Sequence, residues 1–250
     1  MATNFATEFP TTELAARRAR LSFEHRFFLA VAVLFPLVNI IGFAPSYYFK
    51  TFTTAPPLPS LLVHVHGLVM TAWIVLISVQ ATLISAKKIK LHMMLGILGC
   101  VVAAAVVVVG TMTGYAMFAR GSTFPGYTPA EFFIIPMGDI VKFIIIFSAA
   151  IYYRKNAANH KRLILVSVLN FMPSSLARFP FAFVPELGAI WFLGIPALLG
   201  VIFLAVDTYK NGKMNRAFAA AVALIVAAGP VESMITKTEA WTRFAEWTIS

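Results

Sequence analysis

Of 250 residues, 60% are hydrophobic and only 12% charged, and the net charge is +10. A soluble domain carries about 45–50% apolar and about 25% charged residues, so this composition excludes one and implies a chain threaded repeatedly through a bilayer. The basic excess lies in short clusters between apolar runs, which reads as membrane topology and excludes a nucleic-acid-binding face.

Residues 1–22 are polar and then basic (Arg17, Arg18, Arg20), with Leu14 and Leu21 on one side of a short surface helix. The first ten residues lack an apolar core, so the first span, 27–44, is expected to be retained rather than cleaved. Tyr47 and Tyr48 follow as interface anchors, and three prolines make 55–59 a stiff, non-helical connection. The second span is 60–85, closed by the basic turn Lys87, Lys88, Lys90; the third is 91–117. A loop rich in turn formers, 121–129, leads to a fourth span at 132–153 and then to a basic loop at 154–162. The fifth span, 161–178, is expected to kink at Pro173, followed by a sixth at 187–207 and a seventh at 217–235. Trp241, Phe244 and Trp247 mark the tail as an interfacial segment.

The expected fold is therefore all-α, a seven-span transmembrane bundle. It comprises a cytoplasmic segment (1–22), the helical domain (23–235) and an interfacial tail (236–250). Lysine and arginine test the count. With the N-terminus inside, fourteen lie on the inner side and five on the outer, and Lys142 remains within a span. That asymmetry predicts N-in, C-out. The single cysteine, Cys100, excludes an intrachain disulfide.

Ionisable residues within apolar spans are costly and raise a functional expectation by default. His64 and His66 sit near the outer end of the second span. At 100° per residue they lie about 200° apart, so they cannot chelate one ion from a regular helix. His64 continues through Gly67, Thr71 and Ser78, and His66 through Met70, Trp73, Ile77 and Gln80. At the inner side, His92 opens the third span and His160 the fifth. A glycine stripe (Gly96, Gly99, Gly110, Gly114) runs below His92. Imidazoles opening two helices at one depth, with glycines leaving flat space, predict a haem b clamped by His92 and His160. Lys90, Lys161 and Arg162 would then meet the propionates, and His64 or His66 would serve an outer haem or metal. Interfacial placement among basic loops accounts for the same histidines without a cofactor.

Asp139 and Lys142 lie in the fourth span at i, i+3 spacing, which allows an ion pair inside the bundle. Pro136 and Gly138 beside them are expected to open the helix towards a cavity. Glu232, Asn170, Arg178 and Trp73 can line the same pocket. A purely structural pair locking the bundle is the alternative.

The segments His64-Val65-His66-Gly67 with Thr71-Ala72-Trp73, then Leu91-His92 with Leu95-Gly96, and His160-Lys161-Arg162-Leu163 resemble a group of bacterial multi-span membrane proteins. The resemblance covers roughly residues 25–180. It implies a multi-pass protein of the bacterial cytoplasmic membrane and no particular activity. The basic-loop histidines are also similar to those of membrane b-type cytochromes. Three functions follow as expectations. The first is a haem- or metal-binding electron-transfer protein. The second is a proton- or ion-coupled transporter or sensor using Asp139, Lys142, Glu232 and His66. The third is an accessory subunit packed against other membrane proteins or a second copy of itself. Hydrolase spacings such as Gly-x-Ser-x-Gly and His-Glu-x-x-His are absent.

Overall fold

A computed structural model describes residues 11–54 and 56–249, with side chains described from Arg26 onward. Residues 1–10 and the Arg17, Arg18 and Arg20 side chains of the expected surface helix lie outside that description. The backbone of 11–22 is not a separate helix, because it continues without a break into the first span. The elements are α1 (Thr11–Phe43), α2 (Leu61–Ser85), α3 (Ile89–Ala119), α4 (Pro129–Tyr152), α5 (Ala157–Leu169), α6 (Met172–Leu176), α7 (Phe183–Leu187), α8 (Ala189–Phe192), α9 (Gly194–Asn211), α10 (Arg216–Ile235) and α11 (Glu239–Trp247). No strand occurs among the described residues.

Six helical stretches are long and apolar enough to cross a membrane: Arg26–Tyr48, Leu61–Ser85, Ile89–Ala119, Pro129–Tyr152, Ala189–Asn211 and Arg216–Ile235. They correspond to six of the seven expected spans. The remaining one, 161–178, is broken into α5 and α6 by a turn at Asn170 and Phe171. Pro173, which has no N–H to offer the helix, stands just beyond that break. The expected opening in α4 does not occur: α4 runs unbroken through Pro136.

Helices in lipid gain little from hydrophobic burial against one another, so close backbone approach and polar contacts carry the packing. The α3 glycines supply the first. A Cβ on Gly110 would come within 2.7 Å of Ile140, and one on Gly114 would collide with Met137, so both seat α4. Gly42 of α1 likewise lies against the Ser175 carbonyl of α6. Polar contacts supply the second. Asn39 donates to Ser175 Oγ at 3.1 Å and accepts from the Tyr48 hydroxyl at 3.0 Å. Tyr48 is thus a packing residue rather than a simple interface anchor, and Tyr47 donates to the His64 carbonyl at 3.2 Å.

Aromatic rings fill the centre. Trp73 meets Phe143 edge-on at 5.2 Å, and Phe143 meets Phe171 at 4.9 Å, joining α2, α4 and the break after α5. At the end where α4 begins, Thr128 and Glu131 form a capping box, with Glu131 N–H donating at 3.2 Å and Thr128 N–H donating at 2.8 Å. Trp241 of α11 donates to the Ala130 carbonyl at 2.9 Å, which docks the tail on this same turn.

Candidate functional site

α4 is amphipathic in an inverted sense: its polar pair points into the bundle. Asp139 and Lys142, each 7% exposed, lie three residues apart and so project from one face. Lys142 Nζ is 2.9 Å from Asp139 Oδ1 and 3.1 Å from Oε1 of Glu232, which is 8% exposed and comes from the last turns of α10. A single ammonium therefore bridges two helices and two carboxylates.

Gly138 makes the arrangement possible. A Cβ at this position would collide with Glu232 Oε1, so only glycine lets the α10 carboxylate reach α4. Asn170, at the break between α5 and α6, donates from Nδ2 to the Asp139 carbonyl at 2.8 Å. The unwound turn and the charged group are thus directly joined.

The set is not saturated. Among the described residues Glu232 Oε2 and Asn170 Oδ1 are buried acceptors with no donor, and Asp139 Oδ1 meets the ammonium without hydrogen-bond alignment. Buried polar atoms in folded proteins are paired in the large majority of cases. Two carboxylates facing one ammonium also leave a formal excess of one negative charge. The cluster balances when it holds one additional proton.

Tyr127, in the loop before α4, borders this region. Burial first, and then the negative charges of Glu131 and Glu232, push its phenol above the ordinary tyrosine range. Sequence reasoning missed Tyr127, because a tyrosine in a turn-rich loop carries no periodic signal.

The other expected site residues separate into distinct places. Trp73 is buried in the aromatic centre, its indole N–H without an acceptor. Arg178 donates to the Ser174 carbonyl at 2.7 Å and lies over the Phe43 ring at 4.8 Å. Among the described residues no hydrogen bond or ion pair joins it to Asp139 or Glu232. His64 is exposed and His66 half-buried, one turn or so into α2. The His64 face packs on α1, where Ser78 donates to the Ala32 carbonyl at 2.7 Å. His92 and His160 do come together, with ring centres 6.4 Å apart.

Arg162 has a different partner from the expected propionate. Its Nε and Nη2 donate to Asp207 of α9 at 2.9 and 2.5 Å, and Nη1 donates to the Ala158 carbonyl at 2.7 Å. Asp207 was the missed signal here: a lone acid near the end of an apolar span needs a cation. Among the described residues no group of three or more histidine, cysteine, aspartate or glutamate side chains is arranged to hold a metal ion. No family model, no curated protein and no solved structure matches this chain.

Proposed function

We propose that the chain is a proton-coupled membrane transporter or sensor whose exchanging site is Asp139, Lys142 and Glu232. The observation that carries the reading is the charge imbalance of a buried cluster: two carboxylates at 2.9 and 3.1 Å from one ammonium, with the second Glu232 oxygen unpaired. A charge within a bilayer costs ~2.5–3.5 kcal/mol even on insertion scales, so an unbalanced set is expensive to keep without a use.

The chemistry is a proton exchange that moves a cation. With the extra proton present, one carboxylate is neutral and Lys142 pairs with the other. When the proton leaves, both carboxylates compete for the ammonium. Asp139 belongs to α4 and Glu232 to α10, so protonation changes how firmly Lys142 ties these helices together. The break at Asn170 and Phe171 supports the same reading, because unwound backbone at membrane depth is tolerated only inside protein or beside a cavity. Discontinuous helices are also where transporters build their sites.

In the topology that goes with this reading, the chain crosses seven times with the N-terminus inside. α5 and α6 together form the fifth crossing, since ~20 residues at 1.5 Å cover a ~30 Å core. The fourteen-to-five division of basic residues supports that orientation. The resemblance to bacterial proteins points to the cytoplasmic membrane of a bacterium.

Proteoliposomes loaded with a pH-sensitive dye and given an inside-negative potassium diffusion potential test the site. Protein-containing vesicles are expected to acidify faster than protein-free ones. Glu232→Gln and Asp139→Asn should abolish the excess while eluting as the parent does. Wild-type vesicles no faster than empty ones, or variants that match the parent, overturn the reading.

A further inference from the structure

At the opposite end of α4 from its capped start, two histidines far apart in sequence share one small space. His92 lies in the first turn of α3 and His160 in the first turn of α5. Their ring centres are 6.4 Å apart and their planes cross at 76°. His160 Nδ1 is 2.8 Å from the Ala150 carbonyl. A carbonyl only accepts, so Nδ1 carries the proton and Nε2 is left with a free lone pair. His92 Nδ1 is buried and has no hydrogen-bond partner among the described residues.

We infer that His92 and His160 are the two protein ligands of one transition-metal centre. A nitrogen ligand sits ~2.0–2.1 Å from its metal, which puts an imidazole centre ~3 Å away and two opposed rings ~6 Å apart. Two rings at a tetrahedral angle would be only ~5 Å apart at the same bond length. The observed 6.4 Å lies near the separation of two rings that share one metal. The carbonyl on His160 Nδ1 is the usual outer partner of a metal-bound imidazole, fixing both its tautomer and its orientation.

The chemistry of the remaining positions follows from what the protein does not supply. The described residues offer no third histidine, cysteine or carboxylate, which excludes a closed four-ligand zinc site built from them. An imidazole pair whose other ligands arrive with the metal would suit a haem iron or a single ion that keeps water ligands. One turn along α3 from His92, a Cβ on Gly96 would meet only Gln80 Nε2 of α2, at 3.9 Å, whereas Gly110 and Gly114 are closed by α4 side chains. Haem iron and a single metal ion with water ligands share the same protein chemistry, and the experiment separates them.

Full-length protein purified from haem-replete cells is read by its absorption spectrum and by elemental analysis, then titrated with hemin, with Co²⁺ and with Cu²⁺. A Soret band that shifts on reduction identifies haem. A colourless protein that takes up stoichiometric Co²⁺ or Cu²⁺ identifies a single ion. In either case His92→Ala and His160→Ala are expected to weaken uptake by roughly tenfold or more, and His64→Ala to leave it unchanged. His92→Met guards against misfolding, because it should keep the metal with an altered spectrum. Glu232→Gln should leave binding untouched, so failure here is distinct from failure of the proton site. Wild-type protein that takes up neither hemin nor ions above the level of His92→Ala overturns the inference.

Discussion

Two buried ion groups among the described residues are built on opposite rules. At the end of the bundle where α5 begins, the Arg162 guanidinium pairs with the Asp207 carboxylate. The guanidinium fork grips both carboxylate oxygens at 2.9 and 2.5 Å, while Asn211 Nδ2 donates to Asp207 Oδ1 at 3.1 Å and to its carbonyl at 2.7 Å. In the middle of α4, Lys142 faces two acids, and acceptor atoms of Glu232 and Asn170 lack donors among the described residues. A balanced, saturated pair has nothing left to exchange and behaves as a lock. The unbalanced group keeps an affinity for one more positive charge, which is the property a proton site needs.

The sharpest way to break this comparison is to remove one half of the lock. Asp207→Ala removes the carboxylate that pairs with the Arg162 guanidinium, in a residue only 4% exposed. Stripping a partner from a buried pair typically costs about 3–5 kcal/mol, so this variant should show the largest fall in thermal midpoint in detergent. Replacing both residues with apolar ones (Arg162→Met with Asp207→Leu) should recover much of the loss. If the double variant is no more stable than the single one, the pair is more than a lock.

Gly138→Ala should come next. The added methyl displaces Glu232 from Lys142, and overpacking of this kind costs about 1–3 kcal/mol. Its dye-reported proton uptake should fall to that of empty vesicles. Gly96→Ala is the control, since its Cβ meets nothing closer than 3.9 Å and should melt close to the parent.

Glu232→Gln should cost less still, about 1 kcal/mol or under, because the amide keeps the shape and removes the surplus charge rather than a needed one. It should abolish proton uptake all the same. Asp207→Asn, the formally identical change in the lock, should do the reverse, lowering the midpoint clearly and sparing uptake. Thermal melts and vesicle acidification on the same two preparations decide it; equal losses of stability in both would erase the distinction between the groups.

Much of this architecture is legible in the sequence, and the illegible part has a physical reason. Span positions follow from apolar runs, because lipid demands about 20 residues per crossing. The Asp139–Lys142 pair is readable because i, i+3 spacing fixes which side chains meet on one helix. Glu232 is 90 residues from Lys142, and nothing local ties a carboxylate in α10 to α4. Gly138 looks like a helix breaker beside Pro136, yet its function is to leave space for that carboxylate, a three-dimensional fact. α4 stays regular through Pro136, while the fifth span breaks at Asn170 and Phe171, just before the Pro173 where a kink is expected, and Asn170 bonds across to the Asp139 carbonyl. The α3 glycines all read as one seam, but two are tightly filled by α4 and Gly96 is not.

The smallest expected effect tests whether the loop before α4 senses the Lys142 cluster. The Tyr127 phenol sits above its ordinary range through burial and the charges of Glu131 and Glu232. Its proton is therefore held more tightly in the folded chain than in the unfolded one. The associated stability is complete below the ordinary tyrosine value of about 10 and is lost as pH rises through the raised one. At neutral pH, Tyr127→Phe should change stability by no more than about 0.5 kcal/mol. Tyrosinate absorbance in the parent should show a late alkaline step that this variant lacks, among seven tyrosines in all. Glu232→Gln deletes one of the two negative charges, so the same step should move to lower pH without disappearing. Should the step stay in place, Glu232 carries no charge that reaches the loop, and the surplus assigned to the Lys142 cluster is already neutralised under those conditions.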